Sequence, residues 1–267
     1  MPIYTDQLNR KIDVKEFPKR IISLVPSQTE LLFDLGVGQN VVGVTKYCIH
    51  PKEKIKKITK VGGTKDFDIN KIIELNPDLI IANKEENYKE GIEELESKFS
   101  VWISDITDLS SSLEMILEVG KLVQKQKEAK SFVYKLNQDF QELKTLTTEN
   151  HKTLYFIWKN PFMVAGKDTF IDDILQRTNL ENSTDEKRYP IIDAEKIKKL
   201  NPQIILLSSE PYPFKEKHIQ EFARLLPNAY IRVVDGELFS WYGSRLKYTT
   251  DYLKELQKDI KLHFNKI

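Results

Sequence analysis

The sequence predicts an α/β fold: two pseudo-symmetric lobes with mainly parallel sheets, bridged by one long α-helix. Three observations lead there. Short apolar runs alternate with helix-period segments on both sides of the middle of the chain, which is the pattern of βαβ units and parallel sheets. Asp68-Ile-Asn-Lys-Ile-Ile-Glu-Leu-Asn-Pro-Asp-Leu-Ile-Ile81 recurs as Asp193-Ala-Glu-Lys-Ile-Lys-Lys-Leu-Asn-Pro-Gln-Ile-Ile-Leu206, at an offset of 125 (193 − 68) with seven of fourteen positions identical. Two such long copies point to two related lobes rather than to a solenoid. Third, Ala129, Phe132, Val133, Leu136, Phe140, Leu143 and Leu146 form one apolar stripe of a helix over about 127–147, with polar residues opposite. At ~1.5 Å per residue it would be ~30 Å long, the width of a small domain. The expected division is 1–107, an N-terminal lobe; 108–150, a lobe helix followed by the bridge; and 151–267, a C-terminal lobe.

In chain order, Asp6–Arg10 reads as a turn between two short extended pieces. Arg20–Val25 is a buried strand stopped by Pro26, and Ser27-Gln-Thr-Glu30 has capping-box spacing for a helix over Gln28–Leu35, closed by Gly36. Val41–Val44 is the next strand, and Lys52–Lys60 reads as a solvated helix or loop. Gly62-Gly63 is a turn before a helix that starts at Asp68 and stops at Asn76-Pro77. The strand Asp78–Ala82, a charged helix over Lys84–Ser97, the strand Val101–Ile103 and the helix Leu109–Val123 follow. Gly120 and the polar Gln124–Lys127 are expected to break that helix before the bridge. The second half predicts strands at Thr153–Trp158 and Phe162–Ala165 and a helix at Thr169–Arg177. After the repeat come the helix Lys215–Leu226, the strand Ile231–Val234, the aromatic stretch Phe239–Gly243 and a final helix Leu246–His263.

Composition excludes several classes. The 41 Lys+Arg and 40 Asp+Glu leave a net charge of +1, which argues against a nucleic-acid surface. A single cysteine, Cys48, rules out an internal disulfide, and no run of 18 apolar residues exists to span a membrane as a helix. The start Met1-Pro-Ile-Tyr-Thr-Asp-Gln7 lacks the basic and apolar regions of a secretory signal. A removed signal and a signal that never existed both fit, so cytoplasmic location stays open. No nucleophile elbow, P-loop, GxGxxG or HExxH occurs, and no enzyme is expected.

Arg20-Ile-Ile-Ser-Leu-Val-Pro-Ser-Gln-Thr-Glu-Leu-Leu32, Leu75-Asn-Pro-Asp-Leu-Ile-Ile81 and the bridging helix together resemble the substrate-binding proteins of ABC importers for cobalamin and iron-siderophore complexes, the helical-backbone type. Pro26-Ser27 and Asn160–Thr169 are most similar to the vitamin B12-binding branch. The resemblance runs from Asp6 to about His263. It implies a monomer with no intrinsic cofactor, located in the periplasm or cell envelope. Such a protein clamps cobalamin, a ferric siderophore or haem between its lobes and docks on a permease. It also implies one surface carboxylate per lobe for that docking. Under the repeat offset Glu85 falls opposite Glu210, with Glu86 adjacent and the choice between Glu85 and Glu86 left open.

For the ligand, the loops after strands are the expected walls. In the first lobe they hold Pro26-Ser27, Tyr47, His50 and Gly63-Thr64. In the second they hold Trp158 with Phe162, Tyr189, and Trp241-Tyr242 with Arg245. Aromatic faces suit a flat macrocycle, and fixed polar groups would orient it. Asn83 stands where the B12-binding branch would have an aromatic. Cys48 and His50 suit a soft metal or, for His50, an axial position on a bound chelate; packing is the simpler reading. Two rivals remain: an intracellular corrinoid or metal-complex carrier, and a chelatase-like enzyme with His50 as base.

Overall fold

The computed structural model describes residues 2–145 and 150–265, and the chain clusters into two units. The first comprises residues up to Ile106, Ser110–Lys135 and Trp241–Arg245; the second comprises Thr107–Leu109, Leu136–Ser240 and the residues from Leu246 on.

The first unit opens with a hairpin of β1 (Ile3–Thr5) and β2 (Lys11–Asp13), paired antiparallel around the predicted turn. Its sheet contains β3 (Ile21–Ser23), β4 (Val41–Val44), β5 (Thr59–Lys60), β6 (Leu79–Asn83) and β7 (Val101–Ser104). The order is β5-β4-β3-β6-β7 with every pair parallel. Chain order reverses between β3 and β6. That switch point leaves a crevice at the carboxyl ends of these two strands, where the loops diverge. The core around Ile22, Leu24, Ile72, Ile80, Leu95 and Val101 is fully apolar, as a two-sided parallel sheet requires.

The second unit repeats the plan. Its strands are β8 (His151–Trp158), β9 (Met163–Val164), β10 (Leu180–Asn182), β11 (Ile204–Ser208) and β12 (Tyr230–Val234). The order β10-β8-β11-β12 is parallel, with the short β9 antiparallel on β8. Here the switch point falls between β8 and β11. Leu154, Phe156, Ile197, Ile205, Leu207 and Phe222 form the core.

The repeated motif folds identically in both units. Asp68 caps the helix Ile69–Leu75 by accepting from the Lys71 amide at 3.1 Å, and Asp193 caps Ala194–Leu200 from Lys196 at 2.8 Å. Asn76 and Asn201 end these helices in the left-handed region, at φ 43°, ψ 66° and φ 43°, ψ 58°. Asn tolerates that conformation and the following proline cannot continue a helix, so each motif turns straight into a strand.

The bridge is a helix over Gln126–Thr145, with Ala129, Leu136, Phe140 and Leu143 buried; Leu146 and Thr147 lie outside the described residues. The preceding helix, Leu109–Leu122, runs straight through Gly120, contrary to expectation. The break is at Gln124, at φ 57°. Gly120 serves packing instead: a Cβ there would stand 2.4 Å from that of Ala129. Two boundaries also differ. The charged helix spans only Lys89–Glu96, because Asn83 and Asn87 hold residues 84–87 in a turn. The helix after β3 starts at Pro26 rather than Gln28. Its N-cap is Val25, so Ser27 lies inside the first turn and the expected Ser27–Glu30 capping box does not form. Glu30 is used elsewhere.

Candidate functional site

In the first unit the chemistry gathers at the carboxyl ends of β3 and β6. After β6, the Asn83 carboxamide accepts from the amides of Glu85 (2.8 Å) and Glu86 (3.0 Å) and donates to Ser104, which fixes the turn carrying both glutamates. Asn83 is buried and structurally committed. That accounts for a small amide where an aromatic was expected. Asn87 secures the same turn, accepting from the Asn83 amide and donating to the carbonyls of Leu24 and Thr64.

Onto this end packs Trp241–Arg245. The sequence places these five residues in the second lobe, but their contacts assign them to the first unit. Four anchors explain why. The Arg245 guanidinium donates two 2.9 Å bonds to the two oxygens of the Glu30 carboxylate, with side-chain exposures of 12% and 10%. The Tyr242 hydroxyl donates to Glu86 Oε1 at 2.5 Å. The Ser112 hydroxyl donates to the Tyr242 carbonyl at 2.9 Å. Gly243 lets the backbone close on Ser27, whose carbonyl would lie 2.5 Å from any Cβ there. Burial, reinforced by the Glu86 and Glu85 charges, holds the Tyr242 phenol well above its ordinary range, so it stays a donor.

Trp241 is consequently held on two sides. Arg245 lies over its ring at 5.1 Å, and His50 meets it edge-on at 5.5 Å between centroids. Nearby in sequence, the loop after β4 exposes Tyr47 (52%) and Ile49 (46%), with Lys46 over the Tyr47 ring at 5.2 Å. Cys48 points the other way. Its thiol lies 3.2 Å from the hydroxyls of both Thr29 and Thr45, and burial pushes its pKa up. The Cys48 thiol is thus packed in the core, away from the exposed loop. Among the described residues, no group of three or more His, Cys, Asp or Glu side chains is placed to hold a metal ion.

In the second unit the carboxyl end is finished locally. Trp158 closes β8, 40% exposed and edge-on to Tyr212 at 5.7 Å. Phe162 turns inward against Phe156 and Phe222 and belongs to the core periphery. Tyr189 is half-buried beneath the Arg188 guanidinium. At the end of β11, Ser208 Oγ donates to the Glu210 carbonyl at 2.5 Å and accepts from the Tyr155 hydroxyl. The Ser240 hydroxyl shares its proton between the Gly236 carbonyl at 2.8 Å and the Glu210 carboxylate at 3.1 Å. Glu85, Glu86 and Glu210 are all half-buried.

The structure therefore brings Tyr242, Glu86, Trp241, His50 and Arg245 into one constellation. It sets Trp158, Tyr212 and Glu210 at the matching end of the other sheet, and it moves Phe162 into packing. Sequence reasoning missed Glu30 and Ser112. Glu30 had a signal: it is the only charge between Leu24 and Phe33, and a charge in a buried stretch needs a partner.

Comparison with known proteins gives the same architecture. The substrate-binding lipoprotein YvrC of Bacillus subtilis, an uncharacterized ABC transporter protein, is 32% identical over 75% of this chain and 67% of its own. The vitamin B12-binding protein of Pectobacterium atrosepticum is 25% identical over 92% of this chain and 90% of its own. A crystal structure of a possible iron-binding (periplasmic solute-binding) protein from Staphylococcus epidermidis superposes with a TM-score of 0.77. It is 25% identical, covering 92% of this chain and 99% of that one. The model of the family described as periplasmic binding protein matches residues 21–225, and this chain belongs to that family.

Proposed function

We propose that this chain is the substrate-binding component of an ABC importer located in the cell envelope, and that its cargo is a metal chelate: a corrinoid, a ferric siderophore or haem. The observation that carries the reading is the aromatic finish at the carboxyl end of each sheet. In the first unit it consists of the exposed Tyr47 and the half-buried His50, with Trp241, 8% exposed, packed edge-on against His50; in the second it is Trp158 with Tyr212. Rings held by neighbours bind planar ligands by stacking and apolar burial with little ordering cost. The nearby cations Arg245 and Lys159 pair with Glu30 and Glu221, which favours recognition by face and shape. The vitamin B12-binding and iron-binding relatives support this cargo class.

Docking on the permease is assigned to Glu85 or Glu86 and to Glu210. Each follows the strand of the shared motif, and carboxylates suit bidentate arginine partners. Tyr242 holds Glu86 and Ser240 holds Glu210, so docking would read carboxylates already fixed in orientation.

The test is native mass spectrometry with absorbance spectra of protein taken from its own organism, followed by titration with cyanocobalamin, haemin and ferric siderophores. A corrin or haem band, or a siderophore mass that rebinds saturably, is expected. An empty protein that binds none of these would overturn the cargo class. Unchanged transporter-coupled uptake in Glu210→Lys would remove the docking role.

A further inference from the structure

We infer that Glu30 and Arg245 are positioning residues: they hold Trp241 as a fixed wall beside His50, and Arg245 does not itself read the charge of the ligand. The inference rests on the proposed binding role of Trp241. Three observations carry it. First, the guanidinium is already committed, with Nε and Nη2 each 2.9 Å from a different oxygen of the Glu30 carboxylate. A bidentate pair of this kind fixes a plane as well as a distance. Second, that fixed plane lies over the Trp241 ring at 5.1 Å, while His50 meets the same ring at 5.5 Å and 74°. The indole is thus held by two contacts on separate elements. Third, the chain on both sides of the segment belongs to the other unit, from Ser240 back and Leu246 on. Its connectivity therefore does not hold it in the first unit, and the pair joins the Tyr242 and Ser112 hydrogen bonds and the Gly243 contact in seating it.

Glu30 suits the task because of where it stands. It lies just past the first turn of the helix Pro26–Asp34, which follows β3, with every residue from Pro26 to Leu32 buried. A buried carboxylate there must find a cation, and Arg245 is the one it finds. Once paired, the two charges cancel, so the Trp241 ring, itself 8% exposed, is backed by a neutral pair instead of a net charge.

The experiment uses the full-length protein carrying 5-fluorotryptophan, whose three tryptophans give three fluorine resonances, with Trp241 assigned by Trp241→Phe. Binding of cyanocobalamin and of haemin, the first net neutral with amide side chains around its ring and the second with two propionates, is measured on the same variants at low and high salt. Glu30→Gln and Arg245→Lys are expected to shift and broaden the Trp241 resonance while Trp102 and Trp158 stay in place, which also shows that the fold survives. Affinity for whichever probe binds should fall about tenfold through lost preorganisation. The exchanged pair, Glu30→Arg with Arg245→Glu, should restore the resonance in part. A Trp241 resonance unmoved in both single variants overturns the inference. So does tighter, steeply salt-dependent haemin binding by Glu30→Gln, which would make Arg245 a charge reader. If neither probe binds, the resonance decides alone. If Trp241→Ala binds its probe as well as the unaltered protein, the binding role of Trp241 fails independently of the positioning result, while the cargo class stands on the binding itself.

Discussion

The carboxyl ends of the two sheets start from the same motif and are finished differently. In both units a capped helix, a left-handed Asn, a proline and a buried strand deliver a polar residue to the strand's end: Asn83 in one and Ser208 in the other. Each of these ties down the backbone of a following glutamate. From there the designs part. The second unit completes its end with its own Tyr155, Ser208 and Ser240, all neutral hydroxyls. The first borrows five residues from beyond position 240 and locks them with a buried ion pair and a tyrosine–carboxylate bond. A local finish can rely on neutral hydrogen bonds because chain connectivity already holds the parts close. A segment brought from far along the chain needs stronger anchors to offset its ordering entropy.

The largest expected effect follows from that contrast. Arg245→Met leaves the Glu30 carboxylate buried and unpaired, and should destabilise the protein by about 3 kcal/mol in chemical denaturation, in the range for breaking one side of a buried pair. Ser240→Ala, which removes the corresponding tie in the second unit, should cost about 1 kcal/mol, since it deletes one neutral donor to a half-exposed carboxylate. Equal costs would dissolve the distinction between borrowed and local finishing.

Where interactions are close in sequence, the residues announced them. Asp68 and Asp193 as caps, Asn76-Pro77 and Asn201-Pro202 as stops, and the main parallel strands were all legible because capping, turn chemistry and apolar runs act within a few positions. The three-residue β10, Leu-Glu-Asn, carries no β-branched residue and lies at a sheet edge, so it left no pattern to read. Gly120 looked like a breaker, since nothing nearby shows that Ala129 folds back against it. Trp241, Tyr242 and Arg245 were recognised as a cluster from their composition. Their unit was misread because it depends on Glu30, Glu86 and Ser112, which stand more than a hundred positions away.

A middle-sized effect tests the likeness rather than the difference. Asp68→Ala and Asp193→Ala each delete a cap on a seven-residue helix in the same setting, and each should cost about 1 kcal/mol. The two values are expected to agree within about 0.5 kcal/mol, and the double variant should show their sum because the sites share no partner. A markedly larger cost at either aspartate would show that one copy carries a load the other does not.

The smallest effect separates the two ends by pH. Burial raises the phenols of Tyr242 and Tyr155 well above their ordinary range in the folded protein; Glu86 and Glu85 add to it at Tyr242, and Glu210 adds to it at Tyr155. A tyrosine whose folded pKa is raised contributes stability that is fully present below about pH 10, the unfolded value, and is lost as pH rises through the folded pKa. Stability measured from pH 8 to 11 should therefore fall at the alkaline end, and Tyr242→Phe and Tyr155→Phe should each flatten part of that fall. Neutralising a neighbouring charge then tells the ends apart. In Glu86→Gln the alkaline limb should flatten measurably, because this carboxylate accepts the Tyr242 hydroxyl directly and would oppose its ionisation at contact distance. In Glu210→Gln it should barely change, because Tyr155 donates to Ser208 and meets the glutamate only through space. An equal response to both substitutions would mean that burial alone governs the two phenols and that the borrowed segment adds no electrostatic character of its own.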